Sequence, residues 1–217
     1  MGAIRAALVD AVVAALPVAL VYFSGWAYLT SYLGEFGIDA TQIDISFTTV
    51  LVYAFVPLQS SKVLWAIGAV AASGFVAFLI ELHSGDKSKT GQTLAFLFVV
   101  LTMVLLVFLL FVIKDAASAS GQEMAHGVWR GKKSQSVMTL VASKPEDEAS
   151  VLYETCRKGR RLRQIIGLPD QMFLMCRSVV DPCNRGTLFA VSKDGRIVYT
   201  ADKIREDLDV IKTVCNS

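Results

Sequence analysis

Four cysteines have the widest choice of chemistry in this sequence, and all of them lie in its second half: Cys156, Cys176, Cys183 and Cys215. No C-x-x-C pair occurs, and His83 and His126 both fall outside the cysteine-rich stretch, so zinc has no ligand set. Two readings stay open. An even number of cysteines in a short polar domain suits two disulfides and an oxidising compartment. Three of the four also fall on apolar faces, where a reduced thiol packs as a small hydrophobe.

The remaining chemistry-bearing residues are sparse. Asp10 and Lys62 are ionisable groups near the ends of apolar runs, and Ser46, Thr49 and Tyr53 form a polar stripe at helical spacing. Intramembrane polar residues of this kind mark permeation paths. A basic run, Arg157, Lys158, Arg160, Arg161 and Arg163, suits an acidic partner or anionic lipid, or a solvated loop. A Ser-His-Asp relay would need a histidine near the polar domain, and His126 sits in a glycine-flanked tether. Neither Walker A nor G-x-G-x-x-G occurs, which leaves a nucleotide without a site. No catalytic residue, cofactor or metal is expected. Net charge is +2, which argues against a nucleic-acid binder.

The elements that must position these residues follow from apolar patterning. Residues 93–113, TLAFLFVVLTMVLLVFLLFVI, hold no charge, proline or glycine. About 20 such residues at a rise of about 1.5 Å cover a hydrocarbon core of roughly 30 Å. A helix apolar on every side cannot lie on a soluble surface. It is a membrane span. A second span occupies residues 63–82, where Gly68 and Ala72 make a small-xxx-small pair. That pair suits a homo-oligomer interface or packing against the chain's own spans. Residues 8–30 form an uncleaved first span, with an aromatic belt of Tyr22, Phe23, Trp26, Tyr28 and Tyr32 at its C-terminal end.

Residues 45–58, ISFTTVLVYAFVPL, are too short to cross as a helix, reaching only about 21 Å, and read as a re-entrant or interfacial helix. Three spans then place Arg5, Lys87 and Lys89 inside and the C-terminal domain outside. The alternative extends the short helix into a fourth span and makes that domain cytoplasmic, with Lys62 and Lys114 inside. We adopt three.

Beyond Lys114 the composition changes. Residues 115–136 read as a polar linker, and residues 137–217 as a self-contained domain. Residues 137–142 read as a strand. Ser143 and Glu146 have capping-box spacing ahead of a helix whose inward stripe is Ala149, Leu152, Tyr153 and Cys156, with Gly159 as C-cap. Residues 162–166, 171–180, 187–192 and 196–200 read as strands, the last two a hairpin across Lys193-Asp194-Gly195. Asp202 is placed to cap a final helix with Ile204, Leu208, Ile211 and Cys215 inward. The order β-α-β-β-β-β-α gives a small α+β domain with a mostly antiparallel sheet.

That order and the hairpin TLFAVSKDGRIVYTA loosely resemble thioredoxin-like and extracytoplasmic sensor domains, over a stretch of ~30 residues. Thioredoxin chemistry needs two thiols in one turn at a helix N-terminus, whereas Cys156 sits at a helix C-terminus, where the dipole raises a thiol pKa. The proline that thioredoxins place before this hairpin is also replaced by Arg185-Gly186. Redox catalysis is therefore not expected. The sequence describes a non-enzymatic, multi-pass protein of a bacterial-type inner membrane, with its C-terminal domain periplasmic or extracellular. That domain is expected to bind a partner protein or a small ligand. The alternative is an oligomeric pore or permeation subunit with the domain as a regulatory or assembly module.

Overall fold

The computed structural model describes residues 2–84, 89–132 and 147–205. Four helices come first: α1 (Gly2–Gly34), α2 (Phe47–Leu58), α3 (Ser61–Ser84) and α4 (Lys89–Trp129). They are followed by α5 (Glu148–Lys158) and strands β1 (Leu162–Gly167), β2 (Gln171–Arg177), β3 (Arg185–Ser192) and β4 (Ile197–Ile204). The strands form one antiparallel sheet in the order β1-β2-β3-β4. A helical region followed by a small α+β domain is thus the architecture. Three helices are long and apolar enough to cross a membrane: Ala14–Gly34, Ser61–Ile80 and Thr93–Trp129. The protein is an integral membrane protein.

The chain divides into two compact units: Met1–Ser31 with Phe47–Ser120, and Tyr32–Ser46 with Gly121–Ser217. We call them the span unit and the sheet unit.

In the span unit, α3 packs on α4 around Val63, Leu109, Ile113 and Ala116, with Leu20 and Phe23 of α1 against the same cluster. Thr102 Oγ1 donates to the Phe98 carbonyl at 2.8 Å, so its single proton is used and Ser73 Oγ donates to Thr102 across the helix pair at 3.0 Å. Such interhelical bonds contribute about 0.6 kcal/mol on average in membranes. α2 lies on α1 where Gly25 removes a side chain: a Cβ there would overlap the Val50 carbonyl. Ser24 Oγ donates to the Ala54 carbonyl at 3.3 Å beside it. At 12 residues α2 is about 18 Å long, below the hydrocarbon thickness.

In the sheet unit, α5 covers one face of the sheet. Tyr153 and Cys156 meet Leu162, Leu174, Cys176, Phe189 and Val191 there, all buried. The period-2 alternation puts Ile166, Phe173, Met175, Leu188 and Ala190 on the opposite face, where they are buried too. A bulge between Gln164 and Ile166 leaves the Ile165 carbonyl outside the strand ladder. Tyr32 Oη donates to that carbonyl at 3.0 Å, satisfying a group that would otherwise be buried unpaired. Tyr32 packs edge-on to Phe36, which stacks on Trp129 with ring centroids 5.9 Å apart.

Several sequence expectations change. Residues 115–129 are helical and belong to α4. The reason is a stripe of small residues at helical spacing: Ala117, Gly121, Ala125 and Val128 are all buried. Asp147, not Ser143, caps α5: its Oδ1 accepts from the Ala149 N–H and its Oδ2 from Ser150 Oγ. At the far end the positive φ falls on Arg160 (53°) rather than Gly159 (−76°). β2 stops at Arg177, three residues short of the expected end, leaving Val179 and Val180 at 73% and 94% exposure. Asp202 lies inside β4 instead of capping a helix, and Ile204 is exposed. The expected strand 137–142, Ser143, Glu146, Leu208, Ile211 and Cys215 fall outside the described residues.

Candidate functional site

The cysteines resolve first. Cys156 of α5 and Cys176 of β2 form a disulfide with a Cα–Cα separation of 5.8 Å. The helical stripe turns Cys156 onto the sheet, and the alternation of β2 turns Cys176 towards it, so the bridge lies in the core between them. Cys183 is disulfide-bonded as well. The open choice between bridges and packed thiols is decided for these three residues.

The polar site is built where β2 ends and β3 begins. The register pairs Arg177 with Gly186, Arg185 with Ile204 and Gly186 with Lys203, which sets Arg185 on the α5 face of this sheet end and Arg177 and Lys203 on the opposite face, where the Arg177 guanidinium lies against Gly131 and the Lys203 ammonium against Gly37. A groove of about 410 Å³ opens there, lined by Arg161, Arg177, Arg185 and Lys203, with Ser178, Val180 and a single carboxylate, Asp202. Asp202 Oδ1 already accepts a hydrogen bond from Thr187 Oγ1 at 2.9 Å. Two of the arginines are braced by the backbone. Arg161 Nη1 donates to the Arg177 carbonyl at 2.9 Å, and Arg177 Nε donates to the Pro182 carbonyl at 3.1 Å. Among the described residues none of the four cations makes an ion pair. Burial holds the Arg177 guanidinium below its usual pKa, and the charge of Arg163 adds to the effect. Arg163 is its diagonal neighbour on the same sheet face.

Ser178 completes the rim. Its Oγ accepts from the backbone N–H groups of Val180 (3.3 Å) and Asp181 (3.4 Å), which leaves its own proton to donate.

The basic run divides. Arg157 donates from Nε and Nη2 to Glu154 at 3.1 and 2.7 Å, and that partner raises its pKa. Arg163 Nη1 donates to the carbonyls of Arg160 and Leu162. Only Arg161 of the run lines the groove. Arg177 and Arg185 were not singled out from the sequence, and only the strand register could have found them.

His126 is not in a tether: it lies on α4 in the sheet unit, 3.8 Å from Glu35, whose carboxylate also faces Arg205 at 3.6 Å. Among the described residues no group of three metal-ligating side chains occurs.

In the span unit, Gly68 and Ala72 are both exposed, and a Cβ on Gly68 meets nothing within 4 Å. Among the described residues, nothing packs on a Cβ placed at Gly68. Ser46, Thr49 and Tyr53 are half-buried beside the line Val50, Ala54 and Pro57 that faces inward. Tyr53 stacks on Tyr28 at 5.7 Å. Lys62 shares a cleft with Asp115, Trp65, Phe108 and Phe111. The Asp10 side chain lies outside the description.

Compared with known proteins, the chain matches no family model, no curated protein and no solved structure.

Proposed function

We propose that this integral membrane protein presents its C-terminal α+β domain in an oxidising, extracytoplasmic compartment, where the domain binds a partner or small ligand without catalysing a reaction. The buried Cys156–Cys176 bridge carries this reading, because cytosolic thiols are kept reduced whereas exported domains keep such bridges. Three long apolar helices support it, since an odd number of crossings separates a cytoplasmic N-terminus from an external C-terminus. This topology puts Arg5 and the lysines 87 and 89 inside but Lys62 and Lys114 outside, so the positive-inside rule leans to a fourth span and the choice of three rests on the shortness of α2 and on the bridge. The groove at the sheet end supports binding in preference to catalysis: Arg161 is fixed there by the Arg177 carbonyl, and the one carboxylate, Asp202, is engaged by Thr187.

A reporter fused after Ser217, active only in an oxidising compartment, tests the placement together with maleimide labelling of the unreduced protein. An active reporter and unreactive cysteines are expected; an inactive reporter with four reactive thiols defeats the placement. Binding is tested by a photo-crosslinking residue at the exposed Val180, expected to capture a partner or ligand in intact cells.

A further inference from the structure

We infer that the cleft between α3 and α4 at Lys62 and Asp115 is a binding site for one zwitterionic phospholipid, phosphatidylethanolamine. The site lies within the span unit and is independent of what the C-terminal domain binds.

Helical spacing builds the cleft. Lys62, Trp65 and Ala66 stand at i, i+3 and i+4 on α3, and Phe108, Phe111 and Asp115 at i, i+3 and i+7 on α4, so each set forms one stripe. Between the stripes lies a volume of about 560 Å³, in the usual range for small-ligand clefts. Ala66 and Val112 make its floor, packed on the seam of Val63, Leu109 and Ile113, while the three aromatic rings stand exposed as its walls. A slot between large rings over a short floor forfeits dispersion contacts, which an acyl chain restores.

The rim carries both signs of charge. Lys62 opens α3, and Asp115 lies two residues beyond the apolar run that ends at Ile113, about 3 Å along the helix axis. Both therefore stand where hydrocarbon gives way to headgroups, with Trp65 one turn below, as interfacial tryptophans do. Among the described residues neither side chain makes an ion pair, so the two charges share a rim without closing on each other. A zwitterionic headgroup complements that pattern: its phosphate takes the Lys62 ammonium, and its own ammonium donates to the Asp115 carboxylate. The first turn of α3 holds no acid, so Lys62 meets the positive end of the helix dipole, and a phosphate beside it offsets both charges. Asp115 selects the headgroup. Phosphatidylglycerol brings no cation to it, and the quaternary ammonium of phosphatidylcholine has no N–H to donate.

The test is native mass spectrometry of delipidated full-length protein in neutral detergent. Dilauroyl phosphatidylethanolamine, phosphatidylglycerol and phosphatidylcholine are titrated in separate arms. One phosphatidylethanolamine per chain is expected, bound at least about tenfold more tightly than either of the others, as one charge-assisted bond would give. Lys62→Gln and Asp115→Asn should each cut that preference to about threefold or less, and both residues are exposed, so the fold tolerates the changes. Ala66→Phe fills the floor and should lower the uptake of all three lipids. Lys114→Gln, next to Asp115 but outside the lining of the cleft, should bind as the parent does. Equal retention of the three lipids overturns the inference, because an unselective lipid coat gives that result. A preference for phosphatidylglycerol overturns it too, as does a loss with Lys114→Gln as large as with Lys62→Gln.

Discussion

The span unit and the sheet unit use apolar residues in opposite ways. In the spans, Trp65, Phe96 and Phe111 face outward at 81%, 66% and 66% exposure, and the core is a seam of Val63, Leu109 and Ile113. In the sheet unit, Tyr153, Leu174 and Phe189 are fully buried, and β2 and β3 bury side chains on both faces. Lipid can cover the outward rings of the spans, so their packing depends on close approach and hydrogen bonds between helices. Water cannot cover the sheet's apolar faces at low cost, so the sheet unit depends on burial and on its bridge.

The two largest expected effects, of similar size, lie in the bridge and in the sheet's core. Replacing Cys156 and Cys176 together by serine should cost the sheet unit about 2–5 kcal/mol, read as a lower thermal midpoint that reductant reproduces in the parent. Next comes a paired truncation. Phe189→Ala should cost about 3–5 kcal/mol, whereas Phe96→Ala in the spans should stay within about 0.5 kcal/mol in detergent. Equal losses would erase the distinction between the units. A glycine pair sharpens the span side of the comparison. Gly25→Ala drives a Cβ into the Val50 carbonyl and should cost about 1–3 kcal/mol, while Gly68→Ala meets nothing and gains up to about 1 kcal/mol of helix propensity. Thermal unfolding followed by helical circular dichroism separates the two.

Smaller effects follow. Tyr32→Phe strips the bulge carbonyl of Ile165 of its partner and should cost about 1–3 kcal/mol, visible as faster amide exchange in β1. Asp39 is held below the usual carboxylate pKa by the Thr41 hydroxyl and then by its backbone N–H. Its contribution is therefore present above the unfolded carboxylate pKa and is lost as pH falls through the lowered folded value. A slight drop in the thermal midpoint through that window, shrunk by Asp39→Asn, is the expected result.

The membrane helices were legible in the sequence because partition into lipid is a local, additive property of composition. Residues 93–113 needed no neighbour to be read, and neither did the shortness of residues 45–58. The order of the four strands was legible for a similar reason, since alternation and the Asp194-Gly195 turn are local signals. The continuation of α4 through residues 115–129 was not, because small residues such as Ala117 and Gly121 read as linker until something packs against them. The tertiary structure alone chose the Cys156–Cys176 pairing, put Tyr32 on a bulge of β1, and set the Arg161 guanidinium on the Arg177 carbonyl. Those outcomes depend on strand register and helix placement, which join residues far apart in the chain.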